Sequence, residues 1–233
     1  MTEPVDRFEV FGETDAAAER IAPGFAPDAD VNEHVARYRW AAPHVAGAKV
    51  LDVASGVGYG AEILRAAGAT HVGSVDRWLP ALRFGYQRYE LHPICGDVTC
   101  LPLADGSFDI VVSLETIEHI HDVDAFLAEV ARVLVPGGRF LVSSPNLDRS
   151  KGNNPYHVNE MTLETLSRRL EQARFEIDTI DGQHWDVLWG ALWRVRGVAR
   201  LARRIDRSPR VGRSRLPGGC PRDYCVVARR TGQ

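Results

Sequence analysis

The feature that most constrains this chain is a regular alternation of short apolar runs with stretches of helical periodicity. Strand-like runs are expected at Lys49–Ala54, Thr70–Asp76, His92–Asp97, Phe108–Leu114 and Arg139–Ser144. Between them, Ala61–Ala67, Leu79–Tyr89 and Asp122–Leu134 place apolar residues three and four apart, as an amphipathic helix requires. The last of these helices is expected to stop at Pro136-Gly137-Gly138. A further helix, Thr162–Ala173, precedes two more strands, Phe175–Ile180 and Tyr224–Ala228. Strands that alternate with helices build βαβ units, so a doubly wound, mostly parallel α/β sheet of seven strands is expected, closed by a C-terminal antiparallel pair. At 233 residues the chain can bury one large core, and no 18-residue apolar run suggests a membrane helix. The N-terminal MTEPVDRFEVFGETD lacks the basic and apolar regions of a secretory signal, so a cytoplasmic protein is expected.

In such a sheet, ligands bind beyond the carboxyl ends of the strands. Here the first strand runs into Asp52-Val53-Ala54-Ser55-Gly56-Val57-Gly58-Tyr59-Gly60, where glycine lets the backbone approach a ligand closely. Asp52 argues against a pyrophosphate, which it would repel, and suits a ligand carrying ammonium and sulfonium groups. Asp76 closes the second strand, where a carboxylate can accept both hydroxyls of a ribose. Asp97 follows the third strand and can take an adenine amino group, with the backbone of Val98 beside it. Each acid alone could be a solvated turn or a helix cap. Three at successive strand ends point to a nucleoside-bearing ligand.

These segments resemble the class I S-adenosylmethionine-dependent methyltransferases, a family with a Rossmann-like fold. The likeness rests on VLDVASGVGYG, the acidic SVD, GDVTCLPLADGSFDIVVSLETIEHI and VLVPGGRFLVSSPN, in order between residues 33 and 173. The resemblance implies that Asp52, Ala54, Ser55, Gly56 and Gly58 hold the methionine end of S-adenosylmethionine. It implies Asp76 and Arg77 at the ribose, Asp97 and Val98 at the adenine, and Leu114 near the sulfonium. Tyr38, in EHVARYRW, is either a wall of that pocket or a core residue.

Directly after the fourth strand come Glu115, Glu118, His119 and His121. A three-residue spacing sets Glu115 and Glu118 on one face of a helical turn. Converging carboxylates and an imidazole repel one another unless a proton or a cation resolves the charge. Glu115, Glu118, His119 and the downstream His157 resemble the ExxEH-plus-histidine set of small-RNA 2′-O-methyltransferases, which implies Mg²⁺ or Mn²⁺. The same ExxEH occurs in quinone O-methyltransferases. A metal would clamp a vicinal diol and lower the pKa of the attacking hydroxyl. In the competing reading Glu118 and His119 cap a turn without metal, and His119 or His121 serves as general base.

The resemblance extends most closely to bacterial glycan-modifying enzymes, including actinobacterial ones that methylate mannose polysaccharides. It implies transfer to a hydroxyl of a saccharide or another small molecule. An RNA 2′-O-methyltransferase and a non-catalytic S-adenosylmethionine-binding partner are the alternatives. The net charge of −3 hides a segment, residues 188–216, with nine arginines and one acid, so an acidic body carries a basic lobe. The bias of arginine over lysine, of which there are two, reads as genome composition more than phosphate recognition, and nucleic acid is not the expected partner. Trp185, Trp189 and Trp193 recur every four residues and suggest an aromatic helix face. The chain therefore divides into an N-terminal helical lid (1–47), a cofactor-binding core (48–183), a basic aromatic insertion serving as lid or homodimer contact (184–218) and a last core strand (219–233). Four sparse cysteines read as reduced thiols packed as small apolar groups.

Overall fold

The computed structural model describes residues 21–185, 211–212 and 220–232. Eight strands form one sheet in the order β3-β2-β1-β4-β5-β8-β6-β7. The strands are β1 Lys49–Val53, β2 His71–Asp76, β3 His92–Cys95, β4 Phe108–Ser113, β5 Leu134–Pro145, β6 Phe175–Trp185, β7 Val211–Gly212 and β8 Pro221–Arg230. β1 to β5 are mutually parallel, whereas β8 runs antiparallel between β5 and β6. The two-residue β7 extends the expected seven strands to eight by pairing with Gly182 and Gln183.

The helices are α1 Asp28–Ala41, α2 Tyr59–Ala66, α3 Leu79–Tyr89, α4 Val123–Val133, α5 Leu147–Ser150 and α6 Leu163–Gln172. Local chemistry sets their ends. The Asp122 side chain accepts the Ala125 amide at α4, and Thr162 accepts that of Thr165 at α6. Helix α4 stops at Val133, not at the proline-glycine turn; Leu134 is already extended and pairs with Phe108, so Pro136-Gly137-Gly138 lies inside β5. One apolar layer, with Phe126, Leu127, Phe140 and Phe175, lies against α4 and α6. The opposite layer packs Tyr38, Leu64, Ala81 and Leu141 under α1, α2 and α3. Strand order reverses between β1 and β4, which opens the crevice where a doubly wound sheet takes its ligand.

Two expectations need correction. Trp185 ends strand β6 opposite Pro221, so no helical stripe begins there; Trp189, Trp193 and all of the arginine-rich run save Val211–Gly212 lie outside the described residues. Of the four free cysteines only Cys225 is buried, while Cys95 and Cys100 are exposed. Among the described residues no helix is long and apolar enough to cross a membrane.

Candidate cofactor cleft and acceptor site

The glycine loop leaves β1 through residues that need left-handed backbone: Ala54, Gly56 and Gly58 have φ of 56°, 56° and 80°. A Cβ on Gly58 would lie 2.1 Å from a methyl of Leu91, and one on Gly60 would lie 2.0 Å from the Tyr38 ring. Gly60 is therefore absent a side chain because the Tyr38 ring occupies that space. Tyr38 is buried, stacks edge-on to Tyr59 at 5.7 Å, and donates its hydroxyl to Asp52. Tyr38 thus packs in the core and also contacts Asp52.

Asp52 is 1% exposed. Burial pushes its carboxyl up to about 7; the Tyr38 hydrogen bond pulls the other way and the charge of Asp76 adds to the rise. A site with this property lacks a positive charge, which the ammonium of a methionine moiety would supply. Asp76 accepts the Gly56 amide at 2.9 Å and the Trp78 amide at 2.8 Å, so it ties the glycine loop to the end of β2. Ser55 is buried, with its hydroxyl unpartnered among the described residues. Leu114 is buried at the end of β4. Asp97 is exposed and held low by the hydroxyl and amide of Thr99. Arg77 is exposed and Val98 half-buried. The structure thus gathers Tyr38, Asp52, Ala54–Gly58 and Asp76 tightly, and leaves Asp97 and Arg77 at the rim.

The acceptor end is built from more of the chain than ExxEH. Glu115 is not on a helical turn with Glu118; its φ is 51°, and the 3₁₀ turn covers only Ile117–His119. Its two oxygens are engaged by Ser143 Oγ at 2.7 Å and Arg37 Nη2 at 3.1 Å. Arg37, 2% exposed, also pairs with Asp223 at 3.3 Å, while its Nε and Nη1 have no hydrogen-bond partner among the described residues. Burial alone would lower the Arg37 pKa, but Glu115 and Asp223 raise it. Glu118 is buried, and burial together with the Glu115 charge holds it well above the usual carboxylate range. Its Oε2 has no hydrogen-bond partner among the described residues. The loop after β5 is clamped over it, since the Glu118 carbonyl accepts the amides of Val158 and Asn159 at 2.8 and 2.9 Å.

That clamp brings His157 to His119, with ring centroids 4.8 Å apart. Donor atoms of Glu118, His119 and His157 all lie within 4.8 Å of one another. His157 Nδ1 meets Glu160 at 2.5 Å and its Nε2 meets the Asn154 amide at 2.9 Å. Glu160 behind the imidazole fixes its orientation, and a cation at Nε2 would displace the Asn154 amide. One unpartnered buried carboxylate oxygen and two imidazoles fit a divalent cation. Of the expected metal set, Glu115 stands apart on Arg37, and the expected base His121 is exposed.

Sequence reasoning missed Arg37, Asp223, Arg222 and Glu33. Arg222 pairs with Asp223 at 3.1 Å and with Glu33 at 2.5 Å, and His184, read as an ordinary histidine, contacts Glu33 at 3.1 Å. These residues come from α1, β6 and β8, with no local motif. The one signal was the polar content of an otherwise buried strand start, Arg222-Asp223.

Residues 51–142 match a family model described as a methyltransferase domain. The chain is 37% identical over 168 residues to a protein of Mycolicibacterium smegmatis named "Probable S-adenosylmethionine-dependent methyltransferase", covering 69% of this chain and 65% of that protein. A protein of the same name from Mycobacterium tuberculosis is 34% identical over 160 residues, 64% of this chain and 58% of its own length. A demethylmenaquinone methyltransferase of Renibacterium salmoninarum is 35% identical over 138 residues, 56% of this chain and 58% of that protein. The chain thus spans between 58% and 65% of the length of these curated relatives. Among solved structures, an S-adenosylmethionine-dependent methyltransferase of Mesorhizobium loti superposes with a TM-score of 0.62 at 20% identity, over 87% of this chain and all of that one. One from Archaeoglobus fulgidus gives 0.61 at 19%, over 87% and 94%. The chain has the fold of the class I S-adenosylmethionine-dependent methyltransferases, and its residues 51–142 match their methyltransferase-domain family.

Proposed function

We propose that this chain transfers methyl from S-adenosylmethionine to a hydroxyl of a sugar or oligosaccharide, with a divalent cation at Glu118, His119 and His157. The observation that carries the reading is the convergence of these three donor groups within 4.8 Å around a buried carboxylate oxygen with no hydrogen-bond partner among the described residues. In this reading Asp52 receives the cofactor ammonium, Asp76 the ribose hydroxyls, and Asp97 with Val98 the adenine edge. When bound, the cofactor supplies an electrophilic methyl group and the cation lowers the pKa of the acceptor hydroxyl. Three protein donors leave positions open for acceptor oxygens, and Leu114 at the end of β4 walls the path between the two halves. The chain's contribution is orientation, since the glycine loop and the clamped loop around His157 fix both reactants on one rigid sheet edge.

Ionic and imidazole side chains at the acceptor end support a polyhydroxyl acceptor. A second reading, a quinone-like acceptor, draws support from the relatives named demethylmenaquinone methyltransferases. The test is methyl transfer to mono- and oligosaccharides and to a demethylated quinone, with EDTA and after Mn²⁺ or Mg²⁺ is restored. Saccharide turnover that EDTA abolishes and metal restores is the expected result. Turnover indifferent to EDTA would assign proton removal to His119 or His121 and remove the metal. Transfer to the quinone alone would favour the second reading.

A further inference from the structure

We propose that Arg37 is a positioning residue that holds Glu115 out of the cation site, so that coordination is by three protein groups and not four. This rests on the reading of Glu118, His119 and His157 as cation ligands. Glu115 neighbours that set in sequence and in charge, yet both of its oxygens are engaged elsewhere, Oε1 by the Ser143 hydroxyl and Oε2 by Arg37. Its own amide donates to the same Ser143 hydroxyl at 2.9 Å, which closes a ring around the left-handed backbone at φ 51°. Reaching the cation would require the Glu115 carboxylate to leave both partners, Ser143 and Arg37.

Arg37 is anchored independently of that loop. It sits on α1, is 2% exposed, and the same Nη2 that meets Glu115 also meets Asp223 of β8 at 3.3 Å. Charge explains why the anchor matters. Glu115 and Glu118 are two carboxylates beside one site, and each needs a counter-charge when buried. Arg37 meets that need for Glu115, which leaves Glu118 for the cation. A catalytic site of this kind keeps positions open for substrate, whereas a fourth protein ligand would fill one of them. With Arg37 neutralised, Glu115 loses its counter-ion and the cation becomes the nearest alternative.

The full chain is titrated with Mn²⁺, reading free Mn²⁺ by electron paramagnetic resonance and bound-metal hydration by water-proton relaxation. Wild type binds, Glu118→Gln weakens binding by at least about 100-fold, and Glu115→Gln stays within about threefold. Arg37→Gln tightens binding several-fold and lowers the relaxation enhancement, as Glu115 displaces a water. Loss in Glu115→Gln matching that in Glu118→Gln would overturn the proposal while leaving the metal reading intact. So would unchanged affinity and hydration in a folded Arg37→Gln; Glu115→Gln decides the matter if that variant does not fold. Wild type without Mn²⁺ binding would overturn the metal reading and this inference with it.

Discussion

The Tyr38 hydroxyl donates to both oxygens of Asp52, at 3.2 and 3.1 Å, with both residues almost wholly buried. A helix outside the sheet thereby reaches the acid that ends β1. Burial raises the Tyr38 hydroxyl well above its ordinary range, so it remains a donor at every working pH. Tyr38→Phe removes the donor but keeps the ring over Gly60. Affinity for S-adenosylmethionine is expected to fall about tenfold, the loss of one hydrogen bond to a charged group, with little change in fold. Calorimetric titration of the variant checks this, and an unchanged affinity would separate Tyr38 from the cofactor.

Asp52 makes a pH-dependent prediction. Its folded-state pKa, about 7, lies above the unfolded value of 3.8. A raised carboxyl pKa contributes stability that is complete below the unfolded value and is lost as pH rises through the folded one. The loss between pH 4 and 8 is on the order of 4 kcal/mol. Asp52→Asn removes this dependence, so the cofactor-free variant melts above wild type at pH 8 and nearer to it at pH 4. Cofactor binding runs the opposite way. The ammonium favours ionised Asp52, so affinity falls as pH drops below 7 in wild type, and the variant binds weakly at every pH. Melting curves and titrations across pH 5–8 test both signs.

Gly60→Ala is expected to act through Tyr38. The added methyl meets the ring at 2.0 Å, and the ring cannot retreat without breaking its contact with Asp52. Overpacking of this kind costs about 1–3 kcal/mol, a drop of several degrees in melting temperature for a chain of this size. In a Tyr38→Ala background, itself destabilised by the cavity it leaves, Gly60→Ala is expected to cost little further melting temperature, and cofactor binding stays weak. An equal further drop in that background would place the strain elsewhere.

Glu160 orients His157 through a 2.5 Å contact. Its replacement by Gln is expected to weaken Mn²⁺ binding by about 10- to 100-fold while leaving S-adenosylmethionine affinity in place. Equal loss of both would mean that the loop has collapsed, and no loss of metal would detach His157 from the site.

Much of the cofactor half was legible in sequence because its information is local. A strand run that reaches Asp52 just before a glycine-rich turn, or that ends in Asp76, states its own position at the carboxyl end of the sheet. Helix α3, Leu79–Tyr89, matches its periodicity end to end. The acceptor half was less legible, since its order comes from pairs distant along the chain. Nothing near Glu115 says that Arg37 and Ser143 will occupy its oxygens, and spacing alone set it beside Glu118. The role of Gly60 was hidden for the same reason, as a missing side chain makes sense only when the Tyr38 ring is seen against it.

The most direct measurement is calorimetric titration of S-adenosylmethionine into wild type and Asp76→Ala at pH 8. The account predicts one site per chain in wild type and an affinity at least about tenfold weaker in the variant, which loses both the ribose acceptor and the tie to the Gly56 amide. Absence of binding in wild type, or equal affinity in the two proteins, would contradict it.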